Sequence, residues 1–454
     1  MMNKLLMSPI LIALGGCSMV PDYVRPDVGF GNRWSQSSLA GNVVESDVQI
    51  GQAWWQQFGS AEVNALVTRA MAGNNDLVAA AERITAARGN LRVAGASLLP
   101  TVSAGYSDSY TRADMNGSGS SNRGARATAS YEFDIFGANR SNRSVALAQL
   151  NAAGFDRDAL ALVTASDVVQ NYIGLLAARD RARLATESLD ASRKILNLLE
   201  IRLNVGTAAL LDVTQQRTAV AQAEANMASL KEEEAAFRNA LAVLVGTAPQ
   251  DFNVSGTTLG GMVLPQVPLA APATLLERRP DLKVAEANLR AANGDIGAAR
   301  AAFFPTLSLS AGLTQAFSPA QTGLTLGADV LATIFSGGAR TGALQSANAR
   351  QREVAANYRQ AVLTAFAETG NALASLESAE NRVASQTVAS ENAATALRLA
   401  RLQLDAGSGD LPTLLNTQTS ELATKDALVQ AQADALASSV ELIRVSGGGW
   451  TAAE

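Results

Sequence analysis

Leu98-Leu99-Pro100-Thr101-Val102-Ser103 returns about 205 residues later as Phe303-Phe304-Pro305-Thr306-Leu307-Ser308. A second echo, Leu203-Asn204-Val205-Gly206 against Leu404-Asp405-Ala406-Gly407, has an offset of about 201 residues. Two echoes in the same order at nearly the same spacing define a tandem duplication of about 200 residues. The length of 454 residues, which by size alone suggests about three domains, therefore divides into two related halves.

Proline placement says what each half contains. The sequence has no proline between Pro100 and Pro249 and none between Pro319 and Pro412, so both intervals can hold long unbroken helices. Apolar residues recur there every seven positions: Val168, Leu175, Ala182, Leu189, Leu196 and Leu203, then Leu415, Leu422, Val429, Leu436 and Ile443. A sustained heptad predicts coiled-coil packing. A helix from about Asn139 to Asn204 would run for roughly 65 residues, or about 100 Å at ~1.5 Å per residue. Gly206 and Gly407 are suited to left-handed caps, and Asp410 with Pro412 suits the start of a returning helix. Each half thus ends in a helical hairpin.

Outward from the quoted repeat lie segments that alternate with period two. Val102, Ala104, Tyr106 and Tyr110 fall on one face, with Thr101, Ser103, Ser107, Ser109 and Thr111 on the other. Across the polar loop Asn116 to Ser121, Ala127, Ala129, Tyr131, Phe133 and Ile135 oppose Arg126, Thr128, Ser130, Glu132 and Asp134. The second half repeats the pattern in Leu307, Leu309, Ala311 and Leu313, and in Leu324, Leu326, Ala328, Val330 and Ile334. These predict strands at about 101–112, 126–135, 306–317 and 324–335, each long enough to cross a bilayer when tilted. Period two alone fits soluble hairpins equally well. Closure sharpens the choice: about eight strands are needed to enclose even packed side chains, and lipid tolerates no open edge. Four membrane strands would have to share one barrel with other chains.

Composition narrows the function. There is no His, which excludes histidine-based nucleophile pairs, metal sites and proton shuttles. A net charge of -5 offers no basic surplus for nucleic acid. The single Cys, Cys17, ends Leu14-Gly15-Gly16-Cys17, behind Lys4 and a short apolar run. That layout reads as a signal peptide, 1–16, with a lipobox whose cysteine becomes the acylated first residue of the exported chain. Ser18, rather than Asp, follows the cysteine and suits sorting to the outer membrane. No later apolar stretch reads as long enough for a membrane-spanning helix.

These motifs resemble the TolC/NodT-type outer-membrane factors of tripartite efflux and secretion systems, in their lipoprotein branch. The carrying residues are Cys17, Pro21-Asp22-Tyr23, Arg25-Pro26, Trp54-Trp55, Phe58-Gly59, Glu277-Arg278-Arg279-Pro280-Asp281, Ala285-Glu286, Phe304-Pro305-Thr306-Leu307, and the segments Gly206 to Val213 and Gly407 to Leu415. The resemblance covers essentially the whole exported chain. It implies a mainly α fold with a β-barrel portion: a homotrimer whose chains each give four strands to a twelve-stranded barrel, continued by an α-helical tunnel across the periplasm. The expected divisions are a lipidated extended segment, 17–60; a first repeat, 61–248; a connector, 249–272; a second repeat, 273–446; and a tail, 447–454.

On this reading the protein is a passive exit duct in the outer membrane, with no reaction and no cofactor. Its expected partners are outer-membrane lipid, a periplasmic adaptor protein and an inner-membrane transporter of RND type. Gly206, Thr207, Asp212, Gly407 and Ser408 belong to the hairpin tips that would dock the adaptor. Asp405 and Asp410 are the candidate periplasmic gate, because threefold symmetry would turn each into a ring of carboxylates that attracts cations. Plainer roles stay open: Asp410 as an N-cap, Asp405 as a solvated helix residue, Asp212 as a helix-end partner, and Trp54-Trp55 as aromatic packing. Two other readings of the whole chain are a duct for secreted polypeptide or oligosaccharide and a structural periplasmic coiled-coil lipoprotein.

Overall fold

The computed structural model describes residues 19–29, 34, 43–45, 51–112, 119–269, 271–317 and 320–450. The expected signal peptide and Cys17 lie outside the described residues. The chain forms two compact units. One takes residues up to Asp27 with Glu82–Gly154 and Lys283–Ala361; the other takes Val28–Ala81, Phe155–Leu282 and the chain from Val362 onward.

The first unit is built on a four-stranded antiparallel sheet of β2 (Thr101–Arg112), β3 (Gly119–Phe133), β5 (Thr306–Phe317) and β6 (Ala320–Leu331), in that order. β3 begins earlier than its alternating pattern predicts, because the Ser- and Gly-rich stretch from Gly119 keeps the backbone ladder with β2 although it has little apolar alternation. It also stops at Phe133. Asp134, read as the next strand residue, turns away to accept the N–H groups of Asn139 (2.9 Å) and Arg140 (2.8 Å) and starts α3 (Ala138–Asn204). β6 likewise runs from Ala320, opposite Phe317, and ends at Leu331, so that Ile334 lies beyond the strand. α6 (Pro280–Ala301) carries the N-terminal segment on one face. Asn293 donates to the Pro21 carbonyl at 2.7 Å, the Arg290 guanidinium lies 4.3 Å from the Tyr23 ring centroid, and Arg25 pairs with buried Glu286 at 2.8 Å.

The second unit holds the helical hairpins. α3 and α7 (Ala339–Asp405), each 67 residues, return as α4 (Leu210–Leu244) and α8 (Leu411–Val445), each 35 residues. The equality follows from the duplication. Along α3 the heptad residues Val168, Leu175 and Leu189 are buried, and along α8 so are Leu436 and Ile443. One 18-residue window in α3 has a mean hydropathy of 1.3, long and apolar enough to cross a bilayer, contrary to the sequence reading. Half of it is buried inside the unit, and its hydropathy belongs to a helix packed on the core around Tyr172, Ile173 and Leu176.

Trp54 and Phe58, on a 3-10 turn, close that core, and Trp54 meets Trp55 and Phe58 edge to face. Each such buried side chain contributes about 1.5–3 kcal/mol. Between the repeats, residues 249–272 form 3-10 turns at Pro249–Asp251 and Leu259–Gly261 and a short strand, β4 (Val267–Leu269), parallel to β1 (Val43–Glu45). Two carboxylates latch this connector. Glu62, on α1 (Ala61–Gly73), accepts from Ser255 N–H (2.7 Å), Ser255 Oγ (2.8 Å), Gly256 N–H (2.8 Å) and Tyr172 OH (3.0 Å). Asp180 accepts from Thr258 Oγ1 (2.9 Å) and Leu259 N–H (2.8 Å). Arg279, 6% exposed, ties the start of α6 to α7 and the end of α8, through Asp281 (2.7 Å), Glu368 (2.7 Å) and the Val445 carbonyl (3.2 Å). The Arg-Pro-Asp run is thus a structural clamp.

Candidate functional site: a membrane sheet and two hairpin tips

Strand register assigns every side chain of the sheet to a face. Val102, Ala129, Ala311 and Leu326 form one row across the four strands; Ala104, Ala127, Leu313 and Leu324 form the next, and Phe133, Leu307 and Val330 a third. Thr101, Ser130, Ser310 and Gly327 form a row on the opposite face, followed by Ser103, Thr128, Gly312 and Thr325. In a water-soluble sheet the apolar face would be covered. Here Val102 and Leu326 are each 75% exposed, and Tyr106, Leu313, Leu324 and Val330 are exposed as well. Such a patch demands a lipid or protein cover. The polar face is concave, with a recess of about 710 Å3 lined by Ser107, Gly124, Arg126, Thr314, Gln321 and Gly323. β2 and β6 are edge strands, each paired on one side only. An apolar convex side, a hydroxyl-rich concave side and two open edges describe a section of a barrel wall that closes only with further copies.

Three charges stand on the concave face. Glu132 and Asp329 flank Ser308 in a single row beside the point where β3 leads into α3, and Arg126 lies three rows further along. A lone charge pair on the apolar face, Asp108 with Arg123 at 3.2 Å, is directly cross-strand.

The two hairpin tips fold by the same hydrogen bonds. At the first, Gly206 (φ 77°) lets Thr207 N–H reach the Arg202 carbonyl (2.8 Å) and Gly206 N–H the Leu203 carbonyl (3.0 Å). At the second, Gly407 (φ 71°) lets Ser408 N–H reach Gln403 (2.9 Å) and Gly407 N–H reach Leu404 (3.0 Å). Both are Schellman caps, which need a left-handed residue. Asp212 accepts from Ala209 N–H at 3.4 Å, which makes it a helix-end partner. Asp410 caps α8, its two carboxylate oxygens accepting Thr413 N–H (2.8 Å) and Thr413 Oγ1 (3.1 Å). The Thr413 N–H above all, and then its hydroxyl, hold the Asp410 carboxyl below the usual carboxylate range. The side chain of Asp405, the last residue of α7, makes no ion pair or hydrogen bond with any described residue. Among the described residues there is no His, Cys, Asp and Glu grouping that could hold a metal ion.

Sequence reasoning did not foresee the Arg25–Glu286 pair, the Glu62 latch, or the links from Arg181 to Glu233 (3.0 Å) and Asp426 (2.7 Å), which join α3 to α4 and α8. Pro21-Asp22-Tyr23 and Ala285-Glu286 were visible as motifs, but nothing in one-dimensional spacing paired them.

A wall section of this kind, joined to paired 67-residue helices, defines an outer-membrane channel chain. The Outer membrane efflux protein family profile matches residues 66–247 and 271–448, and the chain belongs to that family. It is 34% identical to the pyoverdine export outer membrane protein OpmQ of Pseudomonas aeruginosa, over 99% of this chain and 97% of that protein. It is 31% identical to the probable efflux pump outer membrane protein TtgC of Pseudomonas putida, over 99% and 96%. The solved outer-membrane channel OprN superposes with a TM-score of 0.86 at 27% identity, covering 96% of this chain and 100% of that one. The protein is an outer-membrane efflux channel with the fold of this group, in which three chains share one twelve-stranded barrel and one helical tunnel.

Proposed function

We propose that three copies of this chain form a passive exit duct for small molecules, coupled to an inner-membrane RND-type transporter through a periplasmic adaptor. The observation that carries this reading is the sheet: its exposed apolar face, polar concave face and two open edges fit a shared barrel wall and have no use in a periplasmic coiled coil. Export of pyoverdine by one relative and membership of an efflux pump by another support a small-molecule cargo. Gly206, Thr207, Asp212, Gly407 and Ser408 shape the tips at which the adaptor docks, and the exposed Ile201, Val205, Leu210 and Leu211 give the first tip an apolar contact surface. Asp405 and Asp410 form the gate. Asp405 supplies a free carboxylate and Asp410 a charge retained within its cap. Cys17 carries the lipid that ties the exported chain to the outer membrane, adding one acyl anchor to the barrel.

The test is single-channel recording of the purified protein in planar bilayers, together with copurification from crosslinked cells. Discrete conductance steps and recovery of an adaptor and transporter are expected. A protein that never conducts, or that recovers neither partner, would overturn the proposal.

A further inference from the structure

We propose that Arg126 is the charge-selecting residue of the barrel interior, favouring anionic cargo such as carboxylates, sulfonates and phosphates. The inference rests on the channel reading, with the polar face of the sheet turned to the lumen. Along that face, among the described residues, Arg126 is the one charged side chain beyond the row of Glu132 and Asp329. The rows between are Ser, Thr and Gly. Six residues of strand separate Arg126 from Glu132, about 20 Å at ~3.4 Å per residue.

The surroundings leave the guanidinium available. The Arg126 side chain makes no ion pair or hydrogen bond with any described residue and is exposed on the concave side. Its row contains Gly105 and Gly323, and a Cβ built at Gly105 would meet no atom within 4 Å. A Ser or Thr face with small neighbours offers nothing that would neutralise or cover the charge. The planar fork of the guanidinium suits two-oxygen anions. Three chains would set three such charges in one ring, inside walls of low dielectric that concentrate its field. The carboxylate row nearer the helices would form a second ring of opposite sign. A cargo would therefore pass an acidic station and then a basic one, and on that face neither the row of Arg126 nor the rows beside it carry an acidic side chain.

The test uses the full-length protein in planar bilayers under a KCl gradient, with Arg126→Ala, Arg126→Glu and Arg126→Lys channels, each also in an Asp405→Ala background so that the tip does not dominate. The ratio of potassium to chloride permeability should rise about twofold or more in Arg126→Ala, further in Arg126→Glu, and stay near wild type in Arg126→Lys. Conducting channels whose ratio is unchanged in Arg126→Ala and Arg126→Glu would overturn the proposal while leaving the channel intact. A wild-type protein that never conducts would overturn the channel reading and this proposal with it. In cells, Arg126→Glu should lower export of an anionic dye several-fold more than that of a neutral dye of similar size. Equal loss of both would point to a structural role and refute selection.

Discussion

Replacing Glu62 by Gln keeps the size of the side chain and removes its charge, and the geometry predicts how far the connector will loosen. The carboxylate accepts four hydrogen bonds, two at each oxygen: Ser255 N–H and Oγ at one, Gly256 N–H and Tyr172 OH at the other. An amide has one oxygen. Whichever way it is turned, its NH2 faces a backbone N–H, either that of Ser255 or that of Gly256. A hydroxyl can rotate to accept; a backbone N–H cannot. The stranded donor costs about 1–3 kcal/mol, and the bonds that survive lose their charge assistance, so the latch should weaken by about 2–4 kcal/mol. At about 1.4 kcal/mol per factor of ten, hydrogen exchange across residues 252–261 should accelerate by about 30- to 1000-fold. Mass spectrometry of that peptide in the detergent-solubilised protein measures it. Protection within a factor of two of wild type at neutral pH would refute the reasoning. Acid should mimic the substitution. Burial works against ionisation of Glu62, but the Ser255, Gly256 and Tyr172 donors outweigh it and hold the carboxyl below its ordinary value. A depressed pKa means that the latch is at full strength above about pH 4.3, the ordinary Glu value, and is lost as the pH falls through the lower folded value.

Three further predictions address the tips and the anchor. Asp405→Ala should raise closed-state conductance and antibiotic leakage, most strongly when combined with Asp410→Asn; unchanged conductance and unchanged cation block in the double variant would reject the gate. Gly407→Ala has open space around the new methyl group but forces an L residue to φ 71°, so the second tip should lose about 1–2 kcal/mol, seen as faster proteolysis near residue 407. Asn at the same position should lose less. Cys17→Ser should abolish incorporation of labelled fatty acid, and continued labelling of that variant would dispose of the lipobox reading.

Much of the fold was legible because it is periodic or repeated. Heptads, proline-free intervals and glycine breaks are local signals, and the duplication gave each of them a second witness: Gly206 and Gly407 were found as a pair and fold as a pair. Strand faces were legible for the same reason, since parity is fixed by the backbone. Strand ends were not. Asp134 continues the alternation perfectly well as a string of letters, and only the start of α3 gives its carboxylate two backbone N–H groups to accept. Partnerships across long separations were equally hidden. Glu62 and Ser255 lie 193 residues apart, Arg25 and Glu286 lie 261 apart, and no spacing rule joins them. Asp410 was legible as an N-cap because Asp before Leu411-Pro412 is a local pattern.

The matching caps of the two hairpins carry a consequence for symmetry. Three duplicated chains present six tips with the same backbone, a near-sixfold ring. The side chains do not keep that symmetry. Where the first repeat has Asn204, Val205, Ala209, Leu210 and Leu211, the second has Asp405, Ala406, Asp410, Leu411 and Pro412. Tips with Leu210 and Leu211 beside a single acid, Asp212, therefore alternate around the ring with tips that carry two, Asp405 and Asp410. Any partner of six identical subunits that docked on such a ring would meet two different surfaces in turn, and its subunits would have to bind in two modes or pair into three asymmetric couples. The duplication keeps the shape of a hexamer and gives up its equivalence.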